Sequence, residues 1–157
     1  MIKINKRLNE IANLVQGEVI ADIGSDHALL PIWLYSNKKI KKAYASDMSK
    51  NCVEKIKINI KKYNIPEDII IPVLSDGLNF DHSGLTDVII AGMGGETIAK
   101  IIKPLKNINF ILQPNSKIKF LQKYLYENDF ETIKEITIED KKRFYNIINA
   151  KVKSELK

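Results

Sequence analysis

Short β-branched runs alternate with amphipathic helical segments along most of this chain, and this alternation constrains the fold more than any other feature. The predicted strands cover residues 18–23, 42–47, 69–74, 86–91 and 109–113. The predicted helices cover residues 5–15, about 29–35, 49–63, 96–102 and 117–126. Strands joined through helices lie side by side and parallel, so the pattern predicts an α/β fold with a mostly parallel sheet and helices on both faces.

The alternation stops after residue 130. Residues 130–138 and 144–152 are both strand-like, and five residues, Glu139-Asp140-Lys141-Lys142-Arg143, join them. No helix fits between these segments, so they predict a C-terminal antiparallel hairpin and a sheet of seven strands. The sequence contains no repeat and no linker, and we expect one domain over residues 1–157.

Polar, acidic and glycine residues follow each predicted parallel strand. They are the segments Asp22–Ala28, Asp47, Ser75–Leu78, Ala91–Gly95 and Gln113–Asn115. The carboxyl ends of parallel strands meet at one edge of a sheet, where doubly wound folds bind their ligands. The sequence therefore predicts a binding site at this edge.

Three of these residues have the chemistry to bind a nucleoside. Gly24 lets the backbone approach a ligand where a Cβ atom would collide. Asp47 stands where a carboxylate accepts hydrogen bonds from ribose hydroxyls, although an acid near a helix N-terminus explains it too. Asp76 can accept from an adenine amino group, but by itself the Asp76-Gly77 pair favours a plain turn.

A dinucleotide oxidoreductase is the obvious competitor for such a sheet. Its phosphate-binding turn requires G-x-G-x-x-G after the first strand. This chain has Gly24 alone, and the nearby Asp26 would repel a pyrophosphate. A positively charged sulfonium ligand, by contrast, suits an acidic loop.

The chain carries a net charge of +6 and a pI of about 9.2. A basic surface suits nucleic acid, but nearly all the cations are Lys, with Arg7 and Arg143 as exceptions, and genomic compositional drift explains that equally well. We interpret two dense basic clusters as solvated loops: one over residues 38–42, and one over residues 141–143 at the hairpin tip, which need not share the edge that carries the site.

Cysteine and histidine are scarce. Cys52 is the only cysteine, and with His27 and His82 it gives no zinc cluster, so we expect neither a disulfide nor a metal. No apolar run approaches the ~20 residues of a bilayer span, and residues 1–7 lack a secretory signal, so we expect a cytoplasmic protein with no membrane partner.

Several motifs, in order along the chain, carry a family resemblance. They are Arg7-Leu8, Asp22-Ile23-Gly24-Ser25-Asp26-His27-Ala28, Leu30-Pro31-Ile32, Asp76-Gly77-Leu78, Ile90-Ala91-Gly92-Met93-Gly94-Gly95 and Leu112-Gln113-Pro114-Asn115. Together they resemble the bacterial tRNA (adenine-N1)-methyltransferases that modify adenosine 22 in the D-arm. The resemblance implies the Rossmann-like class I methyltransferase fold, S-adenosylmethionine as cofactor and tRNA as partner.

The resemblance also implies roles for individual residues. The expected cofactor contacts are Asp22, Gly24, Ser25, His27, Asp47, Met48, Asp76, Gly77, Gly92 and Met93. The expected substrate contacts are Arg7, Gly94, Gly95, Gln113, Pro114 and Asn115. Two departures stand out: family members usually carry a glutamate at the position of Asp47, and they continue into a helical C-terminal domain that we expect this chain, which ends at Lys157, to lack.

Asp26 is the expected catalytic residue. Adenine N1 reacts only when its Watson–Crick edge is unpaired, and Asp26 can then accept a hydrogen bond from the adenine amino group. Helix capping is the alternative role for Asp26, and His27 more plausibly ties its loop together than transfers a proton. Two other functions remain open: methylation of a different substrate, and binding of RNA or a nucleotide without catalysis.

Overall fold

The computed structural model describes residues 2–154, and its strands form one seven-stranded sheet in the order β3-β2-β1-β4-β5-β7-β6. The strands are β1 (Val19–Ile23), β2 (Lys42–Asp47), β3 (Ile70–Leu74), β4 (Asp87–Gly94), β5 (Asn109–Ser116), β6 (Phe130–Asp140) and β7 (Arg143–Val152). β1 to β5 are parallel, while β7 is antiparallel to both β5 and β6. This confirms the predicted mostly parallel sheet with its C-terminal hairpin.

Within the described residues, five helices cover the two faces of the sheet. They are α1 (Lys6–Ala12), α2 (Leu29–Ser36), α3 (Lys50–Lys62), α4 (Gly95–Ile101) and α5 (Ile118–Glu127). Strand side chains point alternately to opposite faces, so Ile89 packs with α1, α2 and α3 while Ile90 packs with α4 and α5. None of the helices within residues 2–154 has the length and apolarity that a bilayer crossing requires.

The sheet has two functionally different edges, named here for the ends of the parallel strands. The carboxyl edge is where β1 to β5 end, and the amino edge is where they begin. β7 runs antiparallel to β5, with Leu112 opposite Ile148, so the turn between β6 and β7 lies beyond the carboxyl edge.

Three elements differ from the prediction by three residues at one end. α1 stops at Ala12 rather than Val15, because tertiary hydrogen bonds take over the following backbone: Asn109 Nδ2 donates to Leu14 O at 3.0 Å, and Gln16 N and Gly17 N donate to the Asp87 carboxylate at 2.8 Å each. The other two, β4 and β5, each extend three residues beyond the predicted end.

The predicted end of the fourth strand at residue 91 is therefore wrong. Residues 92–94 continue β4 beside β5, and the pairing register shifts twice, between Ala91 and Met93 and between Met93 and Gly94. Such bulges re-aim backbone and side chains at the end of a strand. The bulged segment lies between the two cavities described next.

Candidate active site

The larger of two neighbouring cavities at the carboxyl edge has a volume of about 510 Å³. Fifteen residues line it: Ile23, Gly24, Ser46, Asp47, Met48, Ser75, Asp76, Gly77, Leu78, Asn79, Met93, Thr97, Lys100, Ile101 and Lys103. The volume lies within the range of small-molecule and cofactor sites, and apolar walls with a few carboxylates and hydroxyls are typical of them. Six of the ten expected cofactor contacts line this cavity.

The loop from β1 to α2 brings its backbone close to this cavity. The Gly24 and Ser25 amides both donate to Ser46 O at 2.9 Å, which joins the ends of β1 and β2. Gly24 has φ +73°, and a Cβ atom there would lie 2.5 Å from Met93 Cε. The absence of a side chain at Gly24 therefore keeps the floor of the cavity open.

Asp22, the next-to-last residue of β1, has an unusual ionisation. Burial raises the pKa of its carboxyl from 3.8 to about 7, while the Ser25 hydroxyl and the Arg7 charge act to lower it. Ser25 Oγ donates to Asp22 Oδ2 at 2.8 Å. A carboxyl group whose pKa lies near neutral pH is readily ionised when a cation is placed beside it.

Two other carboxylates lie at the end of β2 and in the turn that follows β3. Asp47 Oδ1 accepts from Ser49 N at 3.1 Å, which fixes the entry into α3. Asp76 is exposed, and Gly77 after it is buried with φ +60°. A Cβ atom on Gly77 would lie 3.2 Å from Ile101 Cγ2, so this turn approaches α4 closely.

The smaller cavity, of about 280 Å³, adjoins the first at Gly24. Its lining consists of Arg7, Leu8, Asp22, Gly24, Ser25, Asp26, His27, Leu29, Leu30, Ala91 and Gly92. The cofactor contacts expected at Asp22, Ser25, His27 and Gly92 lie here rather than in the larger cavity. The expected catalytic Asp26 lies here too.

Asp26 and His27 are held in a constrained loop. Asp26 and Ala28 both have a left-handed backbone, with φ of 59° and 57°. Asn59 Nδ2 on α3 donates to His27 O at 2.6 Å, so the backbone of His27 is what ties the loop to the helix. His27 Nε2 lies 3.7 Å from Asp26 Oδ2, and the N-cap of α2 is Ala28, with no capping hydrogen bond from a side chain.

Gln113 is the buried centre of the hydrogen bonds around the smaller cavity. Its Oε1 accepts from Arg7 Nη1 at 2.7 Å and from Gly92 N at 3.1 Å. Its Nε2 donates to Asn115 Oδ1 at 3.0 Å and to Pro114 O at 3.1 Å. Through Gln113, α1 and the bulged end of β4 are held together.

Five expected substrate contacts line neither cavity: Gly94, Gly95, Gln113, Pro114 and Asn115. Gly95 is buried where α4 begins, and a Cβ atom there would overlap the Lys117 carbonyl oxygen. Asn115 is exposed and bonded to Gln113. These residues support the packing around the site in this structure.

The sequence reasoning missed most of the wall that α4 provides. Thr97, Lys100 and Ile101 line the larger cavity, and Ser46 lines it from the end of β2. The spacing of the three α4 residues, i, i+3 and i+4, marks one helical face, which was the available signal. Ser46 Oγ is fully buried and has no hydrogen-bond partner within residues 2–154.

Comparison with known proteins gives consistent results. Residues 4–148 match the family described as a methyltransferase domain. The tRNA (adenine(22)-N(1))-methyltransferase of Bacillus subtilis is 33% identical over 156 residues, which cover 95% of this chain and 65% of that protein. This chain thus spans just under two thirds of the length of that relative.

Two solved structures share the fold closely. The crystal structure of the B. subtilis m1A22 tRNA methyltransferase TrmK superposes with a TM-score of 0.91 at 30% identity, covering 97% of this chain and 68% of that one. The M. capricolum TrmK structure in complex with S-adenosyl-homocysteine gives a TM-score of 0.86 at 31% identity, covering 98% and 72%.

Proposed function

We propose, because this chain belongs to the family of tRNA m1A22 methyltransferases, that it transfers a methyl group from S-adenosylmethionine to N1 of adenosine 22 in the D-arm of tRNA. The observation that carries the proposal is the meeting of the two cavities at Gly24. A donor in the larger cavity and a base in the smaller one would have their reacting atoms adjacent. Direct transfer between two bound reactants requires that adjacency.

The larger cavity fits S-adenosylmethionine by three features. Gly24 leaves open the space that a Cβ atom would fill, and the buried Ser46 hydroxyl lacks a partner within residues 2–154. Asp22, Asp26, Asp47 and Asp76 make the carboxyl edge acidic, which suits a cationic ligand. In this proposal Asp47 accepts from the ribose hydroxyls, Asp76 from the adenine amino group, and Met48, Gly77 and Met93 pack against the donor.

S-adenosylmethionine, when bound, supplies a methyl group on a positively charged sulfur, which keeps the electron pair of the broken carbon–sulfur bond. The residues of this chain then have to position the base rather than generate a nucleophile, because unpaired adenine N1 already carries a lone pair. Gly92, exposed and with φ +80°, leaves room for a flat base beside Ala91. Alignment of two bound reactants can contribute ~7–11 kcal/mol to catalysis.

Asp26 is the proposed catalytic residue. Its carboxylate lines the smaller cavity and accepts a hydrogen bond from the adenine amino group, which becomes a stronger donor as N1 gains positive charge. Arg7 lines the same cavity, and its Nη1 donates to Gln113 Oε1 at 2.7 Å. We propose that Arg7 contacts the substrate there.

The experiment is methyl transfer from labelled S-adenosylmethionine to an unmodified tRNA transcript, with the modified base mapped. We expect N1-methyladenosine at position 22 and a loss of about 100-fold in kcat for Asp26→Ala. Asp129→Ala is the matched control, because Asp129 is also an exposed aspartate with a left-handed backbone, φ 64°, and it lies before β6 away from both cavities. The control should transfer methyl groups at the wild-type rate.

Each contrary outcome has a definite meaning. Donor binding without tRNA methylation would overturn the proposed substrate. Methylation at another base would overturn the assignment of position 22, and equal activity of Asp26→Ala and wild type would remove Asp26 from the mechanism. Binding of tRNA with no turnover of the donor would identify an RNA-binding protein instead.

A further inference from the structure

The turn between β6 and β7 carries two exposed lysines at the same edge of the sheet as both cavities. β7 pairs antiparallel with β5, so its first residues extend past the end of β5. Lys6 Nζ at the start of α1 donates to Glu139 O at 2.9 Å, which ties the helix to the hairpin beside the turn. The basic cluster at residues 141–143 thus adjoins α1, which also supplies Arg7 to the smaller cavity.

Two guanidinium groups are held around one aromatic ring in this region. The Arg7 and Arg143 guanidinium carbons lie 5.6 Å and 5.7 Å from the centre of the Tyr145 ring. Stacking on an aromatic ring orients a guanidinium without neutralising it. Arg7 is further fixed by the neutral amide of Gln113.

Five cations define what we call the cationic surface: Lys6, Arg7, Lys141, Lys142 and Arg143. None of them forms an ion pair with a carboxylate within residues 2–154, where the pairs lie at Asp26–His27, Glu18–Lys41 and Glu54–Lys57. Two carboxylates, Glu139 and Asp140, precede the turn, so cations remain in excess. Arg7 also acts electrostatically on the buried Asp22, but within residues 2–154 the five cations form no direct ion pair, which suits them to an external anion.

The two-residue turn between β6 and β7 holds its lysines in an unfavourable backbone conformation. Lys141 and Lys142 both have left-handed backbones, with φ of 52° and 65°. Two-residue hairpin turns of this kind favour Asn-Gly, because those residues adopt positive φ with little strain. Both lysines are exposed, and no contact within the described chain accounts for them.

We infer that the cationic surface binds the phosphate backbone of the RNA whose base enters the smaller cavity. The cationic surface begins at Arg7, which lines the smaller cavity, and continues outward to the turn between β6 and β7. The phosphates of an RNA strand whose base occupies the cavity would lie along this surface. The choice of RNA over another polyanion rests on the proposed function.

The test measures tRNA binding by the 157-residue chain as a function of salt, comparing Lys141→Glu/Lys142→Glu with Lys38→Glu/Lys39→Glu. The second pair is a matched control: it makes the same charge change, includes a left-handed lysine at φ 59°, and lies between α2 and β2 at the amino edge. We expect the hairpin variant to lose about tenfold or more in affinity and one to two units of the salt slope. The control should change less than about twofold, and both should bind S-adenosylmethionine as wild type does.

Equal loss of affinity in the two variants, or none in the hairpin variant, would overturn the inference. So would displacement of tRNA by poly-glutamate as readily as by RNA at equal charge concentration. Methylation of tRNA that is unaffected by Lys141→Glu/Lys142→Glu would leave the proposed function standing without this surface. Binding of tRNA that requires the hairpin lysines, without any methyl transfer, would support the cationic surface and contradict the proposed function.

Discussion

Asp22 is the residue whose ionisation should most affect stability. In the folded protein burial raises its pKa to about 7, whereas in the unfolded chain it titrates near 3.8, so between these values the folded state holds a proton that the unfolded state has lost. The free energy of unfolding therefore falls as pH rises from about 4 to about 7. Relative to Asp22→Asn, which stays neutral, wild type should lose about 3 kcal/mol between pH 5 and pH 8. Urea unfolding at the two pH values measures this, and parallel pH trends for the two proteins would refute it.

The same carboxyl predicts a pH dependence of donor binding. A cationic ligand beside Asp22 favours its ionised form, so binding releases a proton when the pH is below about 7. Affinity for S-adenosylmethionine should rise by up to about tenfold per pH unit towards 7 and be level above it. Calorimetric titration from pH 5.5 to 8.5 tests this, and Asp22→Asn should bind more weakly with a flat profile.

Alanine variants of Gly24 and Gly84 separate the effect of lost cavity space from the effect of backbone strain. Gly24→Ala places a methyl group 2.5 Å from Met93 Cε at φ +73°, whereas Gly84→Ala, at φ +80°, meets nothing within 4 Å. Both variants should lose roughly 1–2 kcal/mol of stability from the left-handed backbone. Only Gly24→Ala should also lose donor affinity, by about tenfold or more, because its methyl group and the displaced Met93 occupy the cavity. Equal donor affinity for the two variants would contradict this.

Among the elements, α4 and α5 meet through a glycine that has no room for a side chain. A Cβ atom on Gly95 would overlap the backbone carbonyl of Lys117, which cannot swing aside as a side chain can. Gly94→Ala is milder, since its nearest contact is Ser116 Oγ at 3.0 Å. We expect Gly95→Ala to cost more than about 2 kcal/mol in unfolding free energy and Gly94→Ala clearly less. Thermal unfolding of the two variants tests this expectation, and equal melting temperatures would contradict the close packing of α4 against Lys117.

The sequence predicted the elements well where local pattern determines them. Strands β1 to β3 alternate with helices through β-branched runs and caps such as Asn5 and Ser49, whose side chains accept from Leu8 N and Cys52 N. Ends set by distant partners were not predictable: α1 stops where Asp87 and Asn109 capture its continuing backbone. The extension of β4 through its glycines depends on pairing with β5, which no local pattern encodes.

The candidate site shows the same division. The acidic and glycine residues at strand ends were identifiable because parallel strands bring their carboxyl ends together. The spacing of Thr97, Lys100 and Ile101 marks one face of α4, but the division into two cavities and the position of that face as a wall depend on how elements distant in sequence pack. The position of the hairpin tip followed only once β7 was paired with β5.

On the scale of the whole molecule, a buried polar network stabilises the fold at the amino edge of the sheet, which is opposite the edge that carries the candidate site. The buried Asp87 accepts from Gln16 N, Gly17 N, Thr86 Oγ1 and Asn109 Nδ2 at 2.6–2.8 Å. Asp87→Ala leaves the Gln16 and Gly17 amides and one Asn109 amide proton without an acceptor and should cost about 3–5 kcal/mol. Folded Asp87→Ala, assayed at low temperature, should still bind S-adenosylmethionine with wild-type affinity. A large loss of affinity would mean that the network also shapes the site.

The position of Arg7 also has a consequence for synthesis of the protein. The residues that line the larger cavity have all been synthesised once Lys103 has been added, but Arg7 waits for Gln113 and then for Tyr145. At 5–20 residues per second, Tyr145 follows Arg7 by roughly 7 to 28 seconds. During translation the residues of the larger cavity are therefore complete before the residues that hold the Arg7 guanidinium have been added.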